Sequence, residues 1–538
     1  MKKHNTVKVV LITILVLALL TWILPAAYFS GEFVKQGRVQ VGLFDLFNYP
    51  VVALSYFGYI ALFVILVGGF YGILYKIPAY RSFLDKLVEA SKGKEKFCLS
   101  VMIVLIAFLV SICGLHLGIA LFVPLVVSLV LLMGFDKMVA AFVTVGSISV
   151  GLAGSTYAFN NLSVLEQYLN LGFNYQIGVR FIILLVGIAL VIFNTLMYIK
   201  KTTSSVIDKK VAKKAHEVKE EKVEVVKVNK EKVAANKKKT STAKSSSSKS
   251  KSTKKGNTKS KSKNANKAAL KDEDIIIVRE AAVAEELVPA KNDKNHSIWP
   301  FIVTFAVLFV LMVLAFVSWG EGAFGVDAFE KATTGVLEFK LFGFPLFGKL
   351  LGTVNSFGVW SLTDLFFPMA LLVTLLAIIY KVNFDDVLSG FLGGARKALR
   401  PAAIVILVYS VLVLVTYHPF QLVIYKALLG IPKGFNIVAT SLVAILASVF
   451  NADPAYTFQS VVPYFASVVT KVDNYGVAGI IFQSMYGFTM LFAPTSLVLM
   501  GLLSFLKINY GEWLKNAFKL IFEFLIILLI IFIILVLV

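Results

Sequence analysis

The chain has 538 residues, 58% of them apolar and 16% charged, against roughly 45–50% and about 25% in soluble domains. This excludes a soluble globular protein and indicates an integral membrane protein. The formal charge of +22 is not spread over a folded face, because Lys200 to Ser297 holds 27 basic and 13 acidic residues and so carries +14 of it. Cys98 and Cys113 are the only cysteines, which excludes a disulfide framework and a Cys-based zinc site.

About 20 apolar residues cross a bilayer core of ~30 Å, and Val7 to Phe29 has that length behind a basic start. It is longer than the h-region of a signal peptide and reads as a first span with a cytoplasmic N-terminus. Val51 to Tyr75 is the second span; six Lys and Arg residues between Lys76 and Lys96 then place the next loop in the cytoplasm. Phe97 to Met133 is broken at Cys113 to Gly118 and again at Pro124, which allows either two ordinary spans or a re-entrant hairpin. Val139 to Asn160 leads outward and Ile177 to Ile199 leads back.

The chain divides into a first transmembrane half (1–200), a cytoplasmic Lys/Ser-rich linker (201–297) and a second transmembrane half (298–538). Lys237 to Lys267 has no apolar periodicity and is expected to be disordered. In the second half, Trp299 to Trp319, Phe357 to Tyr380 and Ala402 to Tyr417 read as spans, and Leu337 to Leu351 as a helix lying in the interface. Phe435 to Thr470 is a second apolar stretch with a polar centre; Gly476 to Leu506 and Phe518 to Val538 follow as spans.

The expected fold is thus an all-α polytopic membrane protein of about nine full spans plus two re-entrant hairpins. In each half a hairpin precedes a span with a polar break and then an uninterrupted span, and loop charge gives the halves opposite orientation. Inverted repeats with paired interrupted helices point to an alternating-access site near the bilayer midplane.

Non-helical backbone at membrane depth is tolerated only where protein buries it or it lines a wet cavity, so the breaks are the candidate site. They contain Gly114 and His116; Gly151, Ser155, Thr156, Asn160 and Asn161; Asn451 and Asp453; and Gly487, Thr489, Pro494, Thr495 and Ser496. Hydroxyls, amides and freed carbonyls are hard oxygens suited to Na⁺, for which Ser155, Asn160, Thr495 and Ser496 are the candidates, and helix N-termini suit an anion. The competing reading is hydroxyl back-bonding and small-residue helix packing. Asp453 is an intramembrane acid that could bind a cation or carry a proton, or else be an N-cap before Pro454. His116 and His418 stand alone on apolar faces and read first as structural. Gly343-x4-Gly348-Lys349 has the outline of a P-loop but lacks the following Ser/Thr and any preceding strand. No nucleotide-binding or enzymatic motif is evident, so transport is expected to be gradient-driven and no cofactor is expected beyond Na⁺ or H⁺ as coupling ion.

Thr21-Trp22-Ile23-Leu24-Pro25-Ala26-Ala27-Tyr28-Phe29 resembles the end of the first span in YfcC-like proteins, grouped with the anaerobic dicarboxylate carriers in the ion-transporter superfamily. Tyr486-Gly487-Phe488-Thr489, Ala493-Pro494-Thr495-Ser496-Leu497-Val498-Leu499-Met500 and Tyr510-Gly511-Glu512-Trp513-Leu514-Lys515 resemble that family's C-terminal motifs. The resemblance implies a secondary transporter with inverted repeats and two re-entrant hairpins, for dicarboxylates, basic amino acids or related metabolites. This chain departs from the family at Leu117-Gly118, where a Glu-Glu pair is usual, at Asn160-Asn161-Leu162-Ser163, and at the Asn451-Ala452-Asp453-Pro454 tip. Loss of the acidic pair argues against a cationic substrate read by that hairpin.

The function expected is a secondary active transporter, symporter or antiporter, of a small amino acid or carboxylate across a bacterial plasma membrane. Membrane lipids are its surroundings, and the Gly68-x3-Gly72 face could serve helix contacts or a homodimer. The alternative is a non-transporting membrane scaffold whose basic linker binds nucleic acid or anionic lipid; a solvated tether, with nucleic acid no partner, is the plainer reading.

Overall fold

The computed structural model describes residues 5–114, 117–202, 296–320, 324–432, 434–451 and 453–537; His116 and the low-complexity linker lie outside them. One compact unit comprises Met1–Leu196 and Ala284–Val538, and of the other, Met197–Val283, only a helix end is described. Nineteen α-helices and one two-stranded hairpin make up the described residues.

Helix α1 (Thr6–Ile23) is uninterrupted and apolar, and it stops before Leu24-Pro25, where proline disfavours helical backbone in the preceding residue. The chain then forms an antiparallel hairpin, β1 (Ala27–Ser30) and β2 (Glu32–Lys35), turning at Gly31 with φ of +74°. This departs from the expectation that the first span runs to Phe29. Thr21 and Trp22 tie down the following loop: Val41 N–H donates to Thr21 Oγ1 at 3.0 Å and Trp22 Nε1 donates to Val41 O at 3.0 Å.

Helix α2 (Leu43–Leu74) is followed by the short amphipathic α3 (Pro78–Ala90). Helix α4 (Glu95–Cys113) ends at Gly114, whose φ of +67° is the left-handed cap that glycine adopts without strain. A 3₁₀ turn over Gly118–Leu121 leads into α5 (Val123–Leu132). At ~1.5 Å per residue, ten residues reach about 15 Å, half the hydrocarbon core. Helix α5 alone is therefore too short for a full crossing, whereas the nineteen residues of α4 are long and apolar enough for one.

Helix α6 (Lys137–Ala153) carries a π-helical turn over Phe142–Gly146. It breaks at Gly154 to Ala158 and resumes as α7 (Phe159–Leu169) before α8 (Ile177–Thr202). After the linker come α9 (Trp299–Phe316), α10 (Ala328–Glu338), α11 (Leu346–Leu351) and α12 (Phe366–Ile379). Helix α13 (Phe384–Tyr417) is 34 residues long and runs through Arg396 to Pro401, which the sequence reading placed in a loop. Then α14 (Gln421–Gly430), α15 (Ile437–Phe450) and α16 (Pro454–Val468) lead to α17 (Tyr475–Thr489), α18 (Leu497–Leu506) and α19 (Tyr510–Leu537).

Among the described residues, seven helices are each long and apolar enough to cross a membrane: α1, α2, α4, α8, α9, α13 and α19. The protein is multi-pass. The expected nine spans differ by the shorter or broken segments at 139–160, 357–380 and 476–506, and by α4, which has full spanning length. Element order repeats between the halves: α4–α5, α6–α7, α8 in the first; α15–α16, α17–α18, α19 in the second.

The two longest helices cross on bare backbone. A methyl group built on Gly68 would fall 2.7 Å from the Gly394 carbonyl, and one on Gly390 would fall 2.8 Å from the Gly72 carbonyl. The Gly68/Gly72 face of α2 is thus occupied by α13 of the same chain.

Candidate functional site

The first hairpin leg and the break in α6 are stitched together by hydroxyls. Thr156 N–H donates to the Ser111 carbonyl at 2.9 Å, Ser111 Oγ donates to the Gly154 carbonyl at 2.7 Å, and the Ser111 and Thr156 hydroxyls meet at 3.0 Å. Gly151 lets α6 lie directly on α4, since a methyl group there would fall 2.7 Å from the Ala107 carbonyl. Ser155 Oγ back-bonds to Leu152 O at 3.0 Å and so closes its own helix end. Asn160 and Asn161 are in the first turn of α7. Gly114 caps α4, and Tyr71 on α2 reaches the adjacent tip by donating to the Leu121 carbonyl at 2.8 Å.

The second hairpin has the same construction. Asn451 ends α15 with its amide donating to Ala447 O at 2.9 Å and Ser460 Oγ at 3.2 Å. Asp453 caps α16, Oδ1 accepting from Ala455 N–H at 2.9 Å with Pro454 at the first helical position. In the neighbouring break, Thr495 Oγ1 donates to Val449 O at 2.6 Å, which ties the break to α15. Ser496 caps α18, accepting from Leu499 N–H at 3.1 Å and donating to Met490 O at 3.1 Å, and Pro494 precedes that cap. Thr489 back-bonds to Met485 O at 2.6 Å.

The freed carbonyls of this break have donors from α19. Trp513 Nε1 donates to Leu491 O at 2.8 Å and Tyr510 Oη to Phe492 O at 2.5 Å. The Tyr-x-x-Trp motif thereby supplies the hydrogen bonds that an interrupted helix lacks.

The two broken helices meet each other. Gly487 presses its backbone on α6, where an added methyl group would fall 2.5 Å from Ala153 Cα and 2.7 Å from Ser149 O. Gln483 Nε2 donates to Ala153 O at 3.2 Å and Ser155 O at 2.9 Å, and Ser484 Oγ donates to Ala153 O at 3.1 Å. So Ser155 and Gly487 share this crossing while Gly151 and Thr156 hold the same break on α4, and no hydrogen bond among the described residues joins Ser155 to Thr495 or Ser496. The Ser155 and Ser496 hydroxyls serve their own helix ends, and that of Thr495 ties its break to α15. Their remaining lone pairs could serve a small cation.

Beside this crossing lies a cavity of about 380 Å³, floored by Ile119 and Ala120 of the first tip and by Leu497 and Val498 at the start of α18. Its wall is the α2–α13 glycine contact, and Lys76, Lys397, Arg400 and Lys507 line it. Small apolar walls with a few convergent charged groups suit a small ligand, and here the charge is cationic.

Sequence reasoning missed Gln483, Ser484 and Ser111, as well as Arg180, which is fully buried in the first turn of α8. An amide or a guanidinium inside an apolar span is itself a signal. His418 is held on both ring nitrogens, by the Tyr49 hydroxyl and, at 2.7 Å, by the Val39 carbonyl. The described residues contain no group of three or more His, Cys, Asp or Glu side chains arranged to hold a metal ion.

The family profile described as DcuC, C4-dicarboxylate anaerobic carrier, matches residues 4–243 and 280–538. A curated Haemophilus influenzae protein, described as uncharacterized, is 28% identical over 145 residues, which is 26% of this chain and 28% of that relative's length. The crystal structure of the YdaH transporter of Alcanivorax borkumensis aligns with 98% of this chain and 97% of its own at 14% identity and a TM-score of 0.37, a likeness too loose to define topology.

Proposed function

The chain belongs to the DcuC family of C4-dicarboxylate anaerobic carriers, and from that premise we propose that it is a secondary active transporter of small carboxylates. The observation that carries the reading is the cavity between the first hairpin tip and the start of α18, lined by Lys76, Lys397, Arg400 and Lys507. Four cations line this small, largely apolar space, Lys76 with Asp386 3.7 Å away, and the surplus of positive charge favours an anion and disfavours a cationic amino acid. The basic loops face the cytoplasm under the positive-inside rule, so this cavity is the inward mouth, with the N-terminus and linker on the same side of the plasma membrane. The two halves are inverted repeats, and the Gly487–Ala153 crossing is the midplane. Coupling is to Na⁺ or H⁺, with hydroxyls at Ser155, Thr495 and Ser496 and the Asp453 carboxylate as the groups available.

The test is uptake by purified protein in proteoliposomes, with labelled dicarboxylates and amino acids offered with and without an inward Na⁺ or H⁺ gradient. Saturable, gradient-stimulated uptake of a carboxylate is expected. Absence of uptake of every solute by folded protein would move the weight to the scaffold reading, for which deletion of 237–267 is the discriminating variant: a carrier keeps its flux and a scaffold loses its partner.

A further inference from the structure

Arg180 is fully buried in the first turn of α8, a setting in which a charged side chain is costly unless it is paired. Its guanidinium has five N–H donors. Nη2 donates to the Phe173 carbonyl at 2.8 Å, and the group lies over the Tyr175 ring with Cζ 4.5 Å from the centroid. Nε and Nη1 are buried without an acceptor. Glu166 on α7 is within electrostatic range of it, as is Tyr157 in the break, yet no ion pair within 4.0 Å joins the two and Glu166 Oε1 is itself unpartnered. A cation and an acid therefore face a shared region without closing on each other.

That region adjoins the helix crossing. One turn along the same face of α8, Leu184 abuts Gly154, where an added methyl group would fall 2.6 Å from the Leu184 nitrogen. Tyr175, stacked under the guanidinium, donates to Gln483 Oε1 at 3.3 Å, and Gln483 holds the Ala153 and Ser155 carbonyls. A continuous set of contacts thus runs from the guanidinium to the break in α6. Lys76, Lys397, Arg400 and Lys507 line the cavity beside the α2–α13 contact and are not part of this set.

We propose that Arg180 is a binding residue for a carboxylate group of the transported molecule, taken by the buried, acceptor-less Nε and Nη1 donors of a guanidinium held between Phe173, Tyr175 and the break when that region opens. Guanidinium is the side chain whose planar donor array matches a carboxylate. The inference rests on the carrier reading above and adds to it the group that would recognise the substrate's charge.

The experiment uses the full-length protein and succinate as probe, with two readouts: the shift in thermal unfolding midpoint in detergent, and KM for uptake in proteoliposomes. Wild type is expected to show a succinate-dependent shift. Arg180→Gln is expected to unfold no earlier than wild type without ligand, because it removes a buried unsatisfied charge, while losing the shift and raising KM by about tenfold or more. Arg180→Lys should keep a reduced shift. A merely structural arginine predicts the reverse: an earlier ligand-free midpoint with the succinate shift intact in Arg180→Gln. That outcome overturns the assignment and leaves the carrier reading standing. If Arg180→Gln does not fold, Arg180→Lys decides, and an unchanged KM in that variant overturns the assignment. A folded wild type with neither shift nor uptake for succinate or any other carboxylate overturns both readings.

Discussion

Gly487→Ala is the sharpest perturbation of the helix crossing. The new methyl group would meet the Ala153 nitrogen, and it would lie 2.5 Å from Ala153 Cα and 2.7 Å from Ser149 O; these are backbone atoms that no rotamer change can move. Restoring van der Waals distance requires α17 to withdraw from α6 by about 1 Å. The bonds from Gln483 at 3.2 and 2.9 Å and from Ser484 at 3.1 Å would then approach ~4 Å, beyond hydrogen-bonding range. Three buried bonds at roughly 1 kcal/mol each, less about 0.8–1 kcal/mol regained from replacing a helical glycine, leave a net loss of about 2 kcal/mol. Thermal unfolding in detergent, followed by tryptophan fluorescence, measures it, and uptake should fall with it. Gly335→Ala on α10, where nothing lies within 4 Å of the added methyl group, is the matched control and should be neutral or slightly stabilising. A Gly487→Ala protein as stable as wild type would refute the idea that the two broken helices touch through backbone.

Gln483→Leu keeps the volume of the side chain but strips its donor from the Ala153 and Ser155 carbonyls; a loss of about 1–3 kcal/mol in unfolding stability is expected, and full stability would show that water replaces the amide. Asp453→Asn should stay within about 0.5 kcal/mol of wild type, because asparagine caps as well as aspartate, whereas Asp453→Ala should lose about 1 kcal/mol. If the Asp453 carboxylate also carries the coupling charge, Asp453→Asn alone changes the pH or Na⁺ dependence of uptake, and an unchanged dependence leaves it a cap. Burial raises the Glu166 carboxyl above its usual range, with Arg180 partly offsetting the rise. A raised acid binds its proton more tightly folded than unfolded, so folded stability should fall as pH climbs from the unfolded value of about 4.3 through the raised one. Glu166→Gln should flatten that part of the stability–pH curve, and an unchanged curve would show that Glu166 titrates as an exposed acid.

The interruptions of the apolar stretches were legible because Gly114, Gly154, Asn451 and Pro494 are breakers or polar groups set within runs that otherwise read as spans. What each break bonds to was not legible, because partners such as Ser111 with Thr156, or Thr495 with the Val449 carbonyl, are 45 and 46 residues apart. The β1–β2 hairpin was hidden by the hydropathy of Ala27 to Phe29, which continues the first span in composition. Its aromatic residues instead pack on α16, Phe29 and Phe33 each lying 5.9 Å from the Tyr464 ring. Helix α13 begins eighteen residues before the span expected at Ala402, because hydropathy marks only its apolar part. Arg396, Lys397 and Arg400 are good helix formers, and charge limits only the part of a helix that sits in hydrocarbon. Arg180 was passed over because one arginine scarcely changes the mean hydropathy of a 26-residue helix.

The α2–α13 contact bears on how the molecule could move. Where helices interlock through large side chains, changing their angle means lifting ridges out of grooves and re-sorting rotamers. Gly68 and Gly72 against Gly390 and Gly394 present almost smooth surfaces, with the Gly394 carbonyl 2.7 Å from where a Gly68 side chain would begin. Such a joint resists separation through close dispersion contact but offers little friction to tilting, the property of a bearing. Because Ile119, Ala120, Leu497 and Val498 bound the cavity beside it, a few degrees of roll there would alter the width of the cavity, with the Phe391 ring on Gly69 and the Phe57–Tyr409 stack the side chains that would have to shift.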